Sequence, residues 1–367
     1  MYDTVVIGQG LTGLLTAIYA NQYGQKTALV AKGTGKLLQS TGVMDFIPGK
    51  QADIRQWAEH VNYTVNTDGL QSAVNSFQFL MEEIHLPYEG SLSENVPLLT
   101  GAGYLKWTTL YPAAMKPVPA KGSVVIVGFD ELTDFVPEYV KANLALERPN
   151  LTIHTIRLEK KVSTVRPVSQ VDIAYRMDDA YERTQLLSEL KVRITADCND
   201  KVDLIVFPSI LGIRQHATVL KETESALNTP VTEAPGLPPN ASALRLFQGL
   251  RQHAIRSGVR FYENSEVTGF DVQQDKVFGI QTQANGKTHQ ITGKSFISAG
   301  GHRSLLETVE GESRNDLKNY WNAGVFPDEV PLQYGLIGGM YAILESAHTT
   351  SNMNRSLKGS ETSAETV

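Results

Sequence analysis

Two rhythms of apolar residues run along this chain of 367 residues. Near the N-terminus, Tyr2-Asp-Thr-Val-Val-Ile7 is an apolar run of strand length. Leu11, Leu14, Leu15, Ile18 and Tyr19 then recur at spacings of three, four and seven, which lines one face of a helix. Gly24 stands where that helix would end, and Lys26 to Ala31 predicts a second strand. The same logic applies near the other end. Pro238-Pro239-Asn240 opens a helix with Leu244, Phe247, Leu250 and Ala254 on one face, closed by Gly258. Short strands are expected at Val259–Glu263, Glu266–Val272, Val277–Gln283, His289–Thr292 and Ser295–Ala299, with Asn285-Gly286 as a type I′ hairpin turn. Between these regions, strands are expected at Ser123–Phe129, Leu151–Leu158 and Val202–Phe207, and helices at Asp134–Glu147 and Arg176–Leu190.

The turn after the first strand reads Gly8-Gln-Gly10-Leu11-Thr12-Gly13, a G-x-G-x-x-G between strand and helix. Such a turn cradles a pyrophosphate: Gly8 makes the tight turn, Gly10 lets the backbone approach the phosphates, and Gly13 lets helix and strand pack closely. The helix N-terminus offers free N–H groups and the positive end of its dipole. A dinucleotide site normally adds an Asp or Glu at the end of the second strand, on the ribose. Here Ala31 holds that place, and no acidic residue occurs between Asp3 and Asp45. Three explanations remain open at this point. Other groups hold the ribose; or Lys32 faces a 2′-phosphate, as in NADP; or the ligand lacks the adenosine half, as FMN does.

The downstream meander ends in Ser298-Ala299-Gly300-Gly301, the way flavoproteins with a dinucleotide fold return to their parallel sheet. The expected fold class is therefore α/β: an FAD/NAD(P)-binding Rossmann-type domain with a β-meander and an inserted α/β domain. Residues 1–50 and 237–348 would form the discontinuous flavin-binding domain, 51–236 the insertion, and 349–367 a polar, disordered tail. The cofactor is expected to be flavin, FAD or FMN. Its candidate contacts are Gly8, Gly10, Leu11, Thr12, Gly13, Lys32, Ser40, Thr41, Gly42, Val267 at the head of the meander, Ala299, Gly300, Gly301, Gly338 and Gly339.

Composition narrows the partners. A net charge of −6 argues against a nucleic-acid surface, which needs a basic stripe. No apolar run approaches the roughly 20 residues that span a bilayer, and the N-terminus enters a strand with no signal-peptide pattern. Cys198 is the only cysteine, which excludes internal disulfides and cysteine-bound iron–sulfur clusters. A cytoplasmic location is the expectation. No spacing of His, Cys or carboxylates suggests a metal site, and no Ser, His or Cys arrangement suggests a nucleophile.

Several internal segments carry a resemblance. They are Ser40-Thr-Gly42-Val-Met-Asp45, the segment around Lys106-Trp-Thr108, Pro119-Ala-Lys121-Gly-Ser-Val-Val-Ile-Val-Gly128 with Asp134-Phe135, and Asp172-Ile-Ala with Arg176-Met-Asp178. Phe207-Pro-Ser-Ile-Leu-Gly212 and Leu237-Pro-Pro-Asn-Ala-Ser-Ala-Leu-Arg245-Leu246 complete them. With the glycine turn, they make the chain resemble the B subunits of anaerobic glycerol-3-phosphate dehydrogenases, among the fumarate-reductase-like flavoproteins. The resemblance implies a flavin-bearing subunit, associated with FMN in that family. It also implies an A-type catalytic subunit, an iron–sulfur C-type subunit, oxidation of glycerol 3-phosphate to dihydroxyacetone phosphate, and electrons passed to quinone at the inner face of the membrane. The chain departs from flavoproteins of this class at Leu336-Ile-Gly338-Gly339, where an Asp and a glycine-rich turn are missing, which fits a truncated or degenerate member or a non-catalytic scaffold. Arg245, Lys106 and Thr108 are the candidate substrate-side residues, with a surface ion pair the competing role for Arg245 and a solvated position for Lys106. His302 and Arg303, directly after the returning strand, are further loop candidates.

Overall fold

Tyr2–Ile7 forms strand β1, whose last four residues are buried, as a strand covered on both faces requires. The structure is a computed structural model that describes residues 1–45, 67–159, 168–198, 200–273 and 276–299. Gly300, Gly301, His302, Arg303, Gly338, Gly339 and the tail 349–367 lie outside the described residues. Strands and helices are numbered along the chain. The chain divides into two compact units.

In the first unit, helix α1 (Leu11–Gln22) buries Leu14, Leu15, Ile18 and Tyr19, the face the spacing predicts. It ends as expected. The N–H of Gly24 donates to Asn21 O and that of Gln25 to Ala20 O, the paired bonds of a Schellman motif. Strand β2 (Thr27–Val30) pairs parallel with β1, and β11 (Arg260–Tyr262) parallel with β2. The meander is β12 (Glu266–Gln273), β13 (Lys276–Ala284) and β14 (Lys287–Ser298). Asn285 and Gly286 both take positive φ between β13 and β14, the type I′ turn the sequence predicts.

One expectation is corrected here. The separate strands expected at His289–Thr292 and Ser295–Ala299 are a single strand of 12 residues. Its first half pairs antiparallel with β13 and its second half parallel with β1. Gly293 stands at the change of partner, where an added Cβ would lie 2.8 Å from Val5. A residue that looks like a strand breaker therefore lets the strand lie close against β1 without a break. The resulting six-stranded order is β11-β2-β1-β14-β13-β12. Val5, Val30, Val267, Val277, Ile280 and Phe296 form one apolar cluster on this sheet.

The second unit contains its own parallel sheet. It consists of β7 (Gly122–Phe129), β8 (Leu151–Leu158), β9 (Leu204–Pro208) and β10 (Val231–Ala234), in the order β10-β9-β7-β8. Two small antiparallel pairs accompany it, β3 (Tyr88–Gly90) with β6 (Leu110–Pro112) and β4 (Val96–Leu99) with β5 (Leu105–Thr108). Helices α3 (Pro137–Glu147), α4 (Gln170–Met177), α5 (Ala180–Asp197) and α6 (His216–Leu227) belong to this unit. Helix α2 (Thr67–Glu83) precedes β3, and α7 (Ala241–Arg256) follows β10.

Two helix boundaries differ from expectation, each for a local reason. Helix α3 starts at Pro137 rather than Asp134, because proline is suited to a first helical position. The helix expected at Arg176–Leu190 is two helices. Asp179 caps the second by accepting from Glu182 N, while the carboxylate of Asp178 accepts from the N–H groups of Ile213, Arg214 and Gln215.

A doubly wound sheet of this order commonly binds ligands where the strand order reverses, outside the carboxyl ends of the strands. Here that place, beside β7 and β9, is crossed by Gln170. Its Nε2 donates to Asp134, and its Oε1 accepts from Ser209 N at 2.9 Å and from Gly236 N at 3.5 Å. Gln170 is fully buried, so a hydrogen-bonded side chain fills that position. The core of the unit is the run Val124–Val127 with Ile205, Val206, Phe207 and Leu211. Truncating Phe207, fully buried in β9, to Ala should cost about 3–5 kcal/mol, read from urea denaturation. A loss below about 1 kcal/mol would contradict its place in a tightly packed core.

Candidate flavin site

In the first unit the carboxyl ends of β1 and β14 lie side by side, where the parallel strand order changes direction. Ala299 N donates to Ile7 O at 2.7 Å, which fixes the two ends together. The glycine turn follows β1 directly. Gly8 has φ 114° and donates to Val30 O. A Cβ on Gly13 would lie 1.9 Å from Gly8 O, so only glycine lets α1 approach this closely. Gly10 is the N-cap of α1, in extended conformation, with no side-chain hydrogen bond capping the helix and no acidic residue in the first turn. A Cβ on Gly10 would meet nothing within 4 Å. The N–H groups of a helix opening with Leu11 and Thr12 and left without a side-chain cap suit a phosphate. Gly35, not singled out from the sequence, packs its backbone against Gly10: a Cβ on it would lie 3.1 Å from Gly10 N. The signal was there in Gly33-Thr-Gly35, but only folding brings it to the turn.

The end of β2 is organised without an acid of its own. Ala31 N donates to Tyr262 O, and Ala31 O accepts from Ser265 N. Lys32 forms an exposed ion pair of 2.7 Å with Glu266 of β12. A carboxylate therefore does reach this region, but from a strand more than two hundred residues away along the chain. The side chain of Val267 is buried in the apolar cluster of the sheet, next to a β-bulge.

The second unit holds Ser40, Thr41 and Gly42 in a loop fixed from several sides. Ser40 Oγ accepts from Gly42 N, Asn240 Nδ2 donates to Ser40 O at 2.9 Å, and Tyr88 OH donates to Gly42 O. Met44 N donates to Leu110 O, and Thr108 Oγ1 donates to Met44 O. Lys106 is not a solvated lysine. It pairs at 2.7 Å with Asp45, whose side chain is 8% exposed. Lys106 and Thr108 are thus brought together around residues 44 and 45.

Arg245 is placed differently from either expectation. Its guanidinium donates from Nη1 and Nη2 to the two carboxylate oxygens of Glu233, at 2.8 and 2.6 Å, and from Nε to Gly212 O at 2.7 Å. The pair is buried, not at the surface, because Glu233 stands inside β10 and is also bonded by Leu211 N. Burial alone would raise the Glu233 carboxyl, but the charge and hydrogen bonds of Arg245 outweigh it and hold the group below its ordinary value. Beside them His216 is 8% exposed, with Nδ1 2.5 Å from Leu211 O. Burial, then the charge of Arg245, pushes His216 from 6.5 down to about 4. Glu233 and His216 were not found from the sequence. The available hint was an acid inside the short apolar strand Val-Thr-Glu-Ala, since a buried carboxylate must be paired.

A glycine turn at the switch point of a parallel sheet, with a returning meander, defines the dinucleotide-binding fold of flavoproteins. The chain belongs to the FAD binding domain family, whose model matches residues 3–275. The cofactor expected from the sequence is thereby FAD, and the FMN reading finds no support. Similar proteins include the B subunit of the anaerobic glycerol-3-phosphate dehydrogenase of Yersinia enterocolitica, 24% identical over 91% of this chain and 86% of its own length. Its namesake from Vibrio cholerae is 25% identical over 82% of this chain and 73% of its own length. Among solved structures, 3-ketosteroid delta1-dehydrogenase from Sterolibacterium denitrificans matches with 18% identity and a TM-score of 0.37. That match covers 82% of this chain and 47% of the other, so this chain spans about half its length. Among the described residues no helix is long and apolar enough to cross a membrane.

Two measurements test the buried cluster. Glu233→Gln leaves the Arg245 charge without its partner and should cost about 3–5 kcal/mol in urea denaturation. The depressed His216 value has a definite sign. Between 6.5 and about 4 the unfolded chain binds a proton that the folded chain excludes, so stability is full above that window and falls as pH drops through it. Relative to His216→Gln, the protein should lose about 2 kcal/mol more between pH 7 and pH 5. Equal losses in the two proteins would refute a neutral, buried His216.

Proposed function

We propose that this chain is the FAD-bearing, B-type subunit of a dehydrogenase that oxidises glycerol 3-phosphate to dihydroxyacetone phosphate. The observation that carries the reading is the likeness to B-type relatives across 91% of the chain, rather than over the glycine turn alone. The flavin-binding role is assigned to residues 1–50 and 237–348, which draw on both compact units, and 51–236 is the insertion. Gly8, Gly10, Leu11, Thr12 and Gly13 hold the pyrophosphate, with Ala299-Gly300-Gly301 beside it. Lys32 with Glu266, and the backbone near Val267, serve the adenosine half. From the sequence alone, Ser40, Thr41, Gly42, Gly338 and Gly339 are assigned as further FAD contacts.

Bound FAD supplies the acceptor for the hydride leaving the substrate alcohol; the protein supplies binding and orientation. Arg245 acts here as a positioning residue, because its guanidinium is engaged by Glu233. The Asp45–Lys106 pair and Thr108 steady the loop that carries Ser40 to Gly42. The electrons leave through an iron–sulfur C-type subunit toward quinone, with an A-type subunit carrying most of the substrate chemistry. The place of work is the cytoplasm, at the inner face of the membrane. A second reading, a flavin-binding scaffold without its own catalysis, is favoured by the missing Asp at Gly338-Gly339.

The purified chain should show a flavin spectrum and release FAD on denaturation. A colourless protein with no affinity for FAD would overturn both readings. Bleaching by glycerol 3-phosphate in the presence of the A-type subunit separates catalyst from scaffold. Gly10→Val should keep the circular dichroism of the parent, since its side chain enters open space, and weaken FAD binding at least tenfold. Unchanged FAD affinity in that variant would place the phosphates elsewhere.

A further inference from the structure

The second unit contains a cavity of about 200 Å³ that the flavin reading does not use. Leu86, Pro112, Leu220 and Leu246 give it a mainly apolar lining, and His216 and Arg245 line it as well. The charges near it are already balanced. Arg245 is neutralised by Glu233, and Glu224 by Lys116, leaving Lys221 exposed to solvent.

His216 is the exception in hydrogen bonding. Its Nδ1 faces a carbonyl, which can only accept, so Nδ1 carries the ring proton. The ring is neutral near pH 7, because burial and the charge of Arg245 depress it. Nε2 is therefore a lone-pair acceptor, and no hydrogen bond to it forms among the described residues. Nε2 is not among the polar atoms shut off from solvent without a partner, so this lone pair stays reachable from outside the packed interior. Water entering past the exposed lining residues Pro87, Ala217 and Lys221 finds few polar partners on the mainly apolar walls, so an apolar body can displace it at little cost. A cavity of about 150 Å³ with apolar walls is enough to take benzene.

We propose that this cavity binds a small neutral organic molecule, benzene-sized or slightly larger, whose apolar body carries one hydroxyl or N–H group that donates to His216 Nε2. The apolar walls supply the affinity and the lone pair supplies the selection, since an analogue without the donor leaves Nε2 unpaired. The site does not depend on bound flavin or on the dehydrogenase reading.

Phenol and toluene are suitable probes, alike in shape and different in the donor. Each is titrated into the full chain by calorimetry, with the histidine ring nitrogens followed by NMR in protein labelled with 15N-histidine. Phenol should bind at least about threefold tighter than toluene, the factor expected from one net hydrogen bond, and should shift the His216 Nε2 signal. Leu220→Trp, at a half-buried wall position, should abolish binding of both. His216→Leu should keep toluene binding and remove the preference for phenol. Toluene binding equally well or better, failure of both probes to bind, or phenol binding unchanged by Leu220→Trp would overturn the proposal. If His216→Leu does not fold, the other measurements on the parent chain and Leu220→Trp still decide it.

Discussion

The turn from β1 into α1 depends on the near-contact between residue 13 and the carbonyl of Gly8. Any side chain at that position would overlap the oxygen, since even a single Cβ would approach within 1.9 Å. The close approach sets the start of α1 over the carboxyl end of β1. That in turn decides where the uncapped N–H groups of the helix point. The rest of the unit complements this one constraint. Val30 O receives the Gly8 N–H, Ile7 O receives that of Ala299, and the backbone of Gly35 fills in against Gly10.

The second unit is organised by buried polar groups. Its parallel sheet has an order that commonly leaves a ligand crevice, but Gln170 satisfies itself there against Asp134, Ser209 and Gly236. The ion pair of Arg245 and Glu233 gives a second such centre. Desolvating both charges is costly, and the near-ideal bidentate geometry, together with bonds from Gly212 and Leu211, offsets the cost. These groups define which strands and loops meet, because each has few alternative partners in an apolar interior.

Local pattern was enough for the elements whose cause is local. Strand β8 has the bounds expected from its apolar run, α1 buries the face its spacing predicts, and Asn285-Gly286 makes the expected turn. Where the cause is distant, the sequence said little. Nothing near Ala31 announces Glu266, and nothing near Arg245 announces His216, although an acid inside the apolar strand β10 hints at Glu233. The split between α4 and α5 follows from Asp178 bonding to backbone thirty-five residues onward. The glycine turn was legible as a phosphate cradle, yet the other contacts proposed for FAD lie partly beyond the described residues. The absence of an acid after β2 left the ligand open until the family match.

The two-partner strand β14 also governs the order of events during synthesis. One of the two neighbours of β1, pairing Ile7 with Ser298, is made only nearly three hundred residues after it. At ordinary elongation rates that is a wait of tens of seconds. Throughout that time an apolar strand has one edge unsatisfied, the condition under which nascent chains pair wrongly or aggregate. The second unit, whose strands all fall between Tyr88 and Ala234, can close its sheet earlier. Strand β1 is thus made long before the partner that completes its pairing.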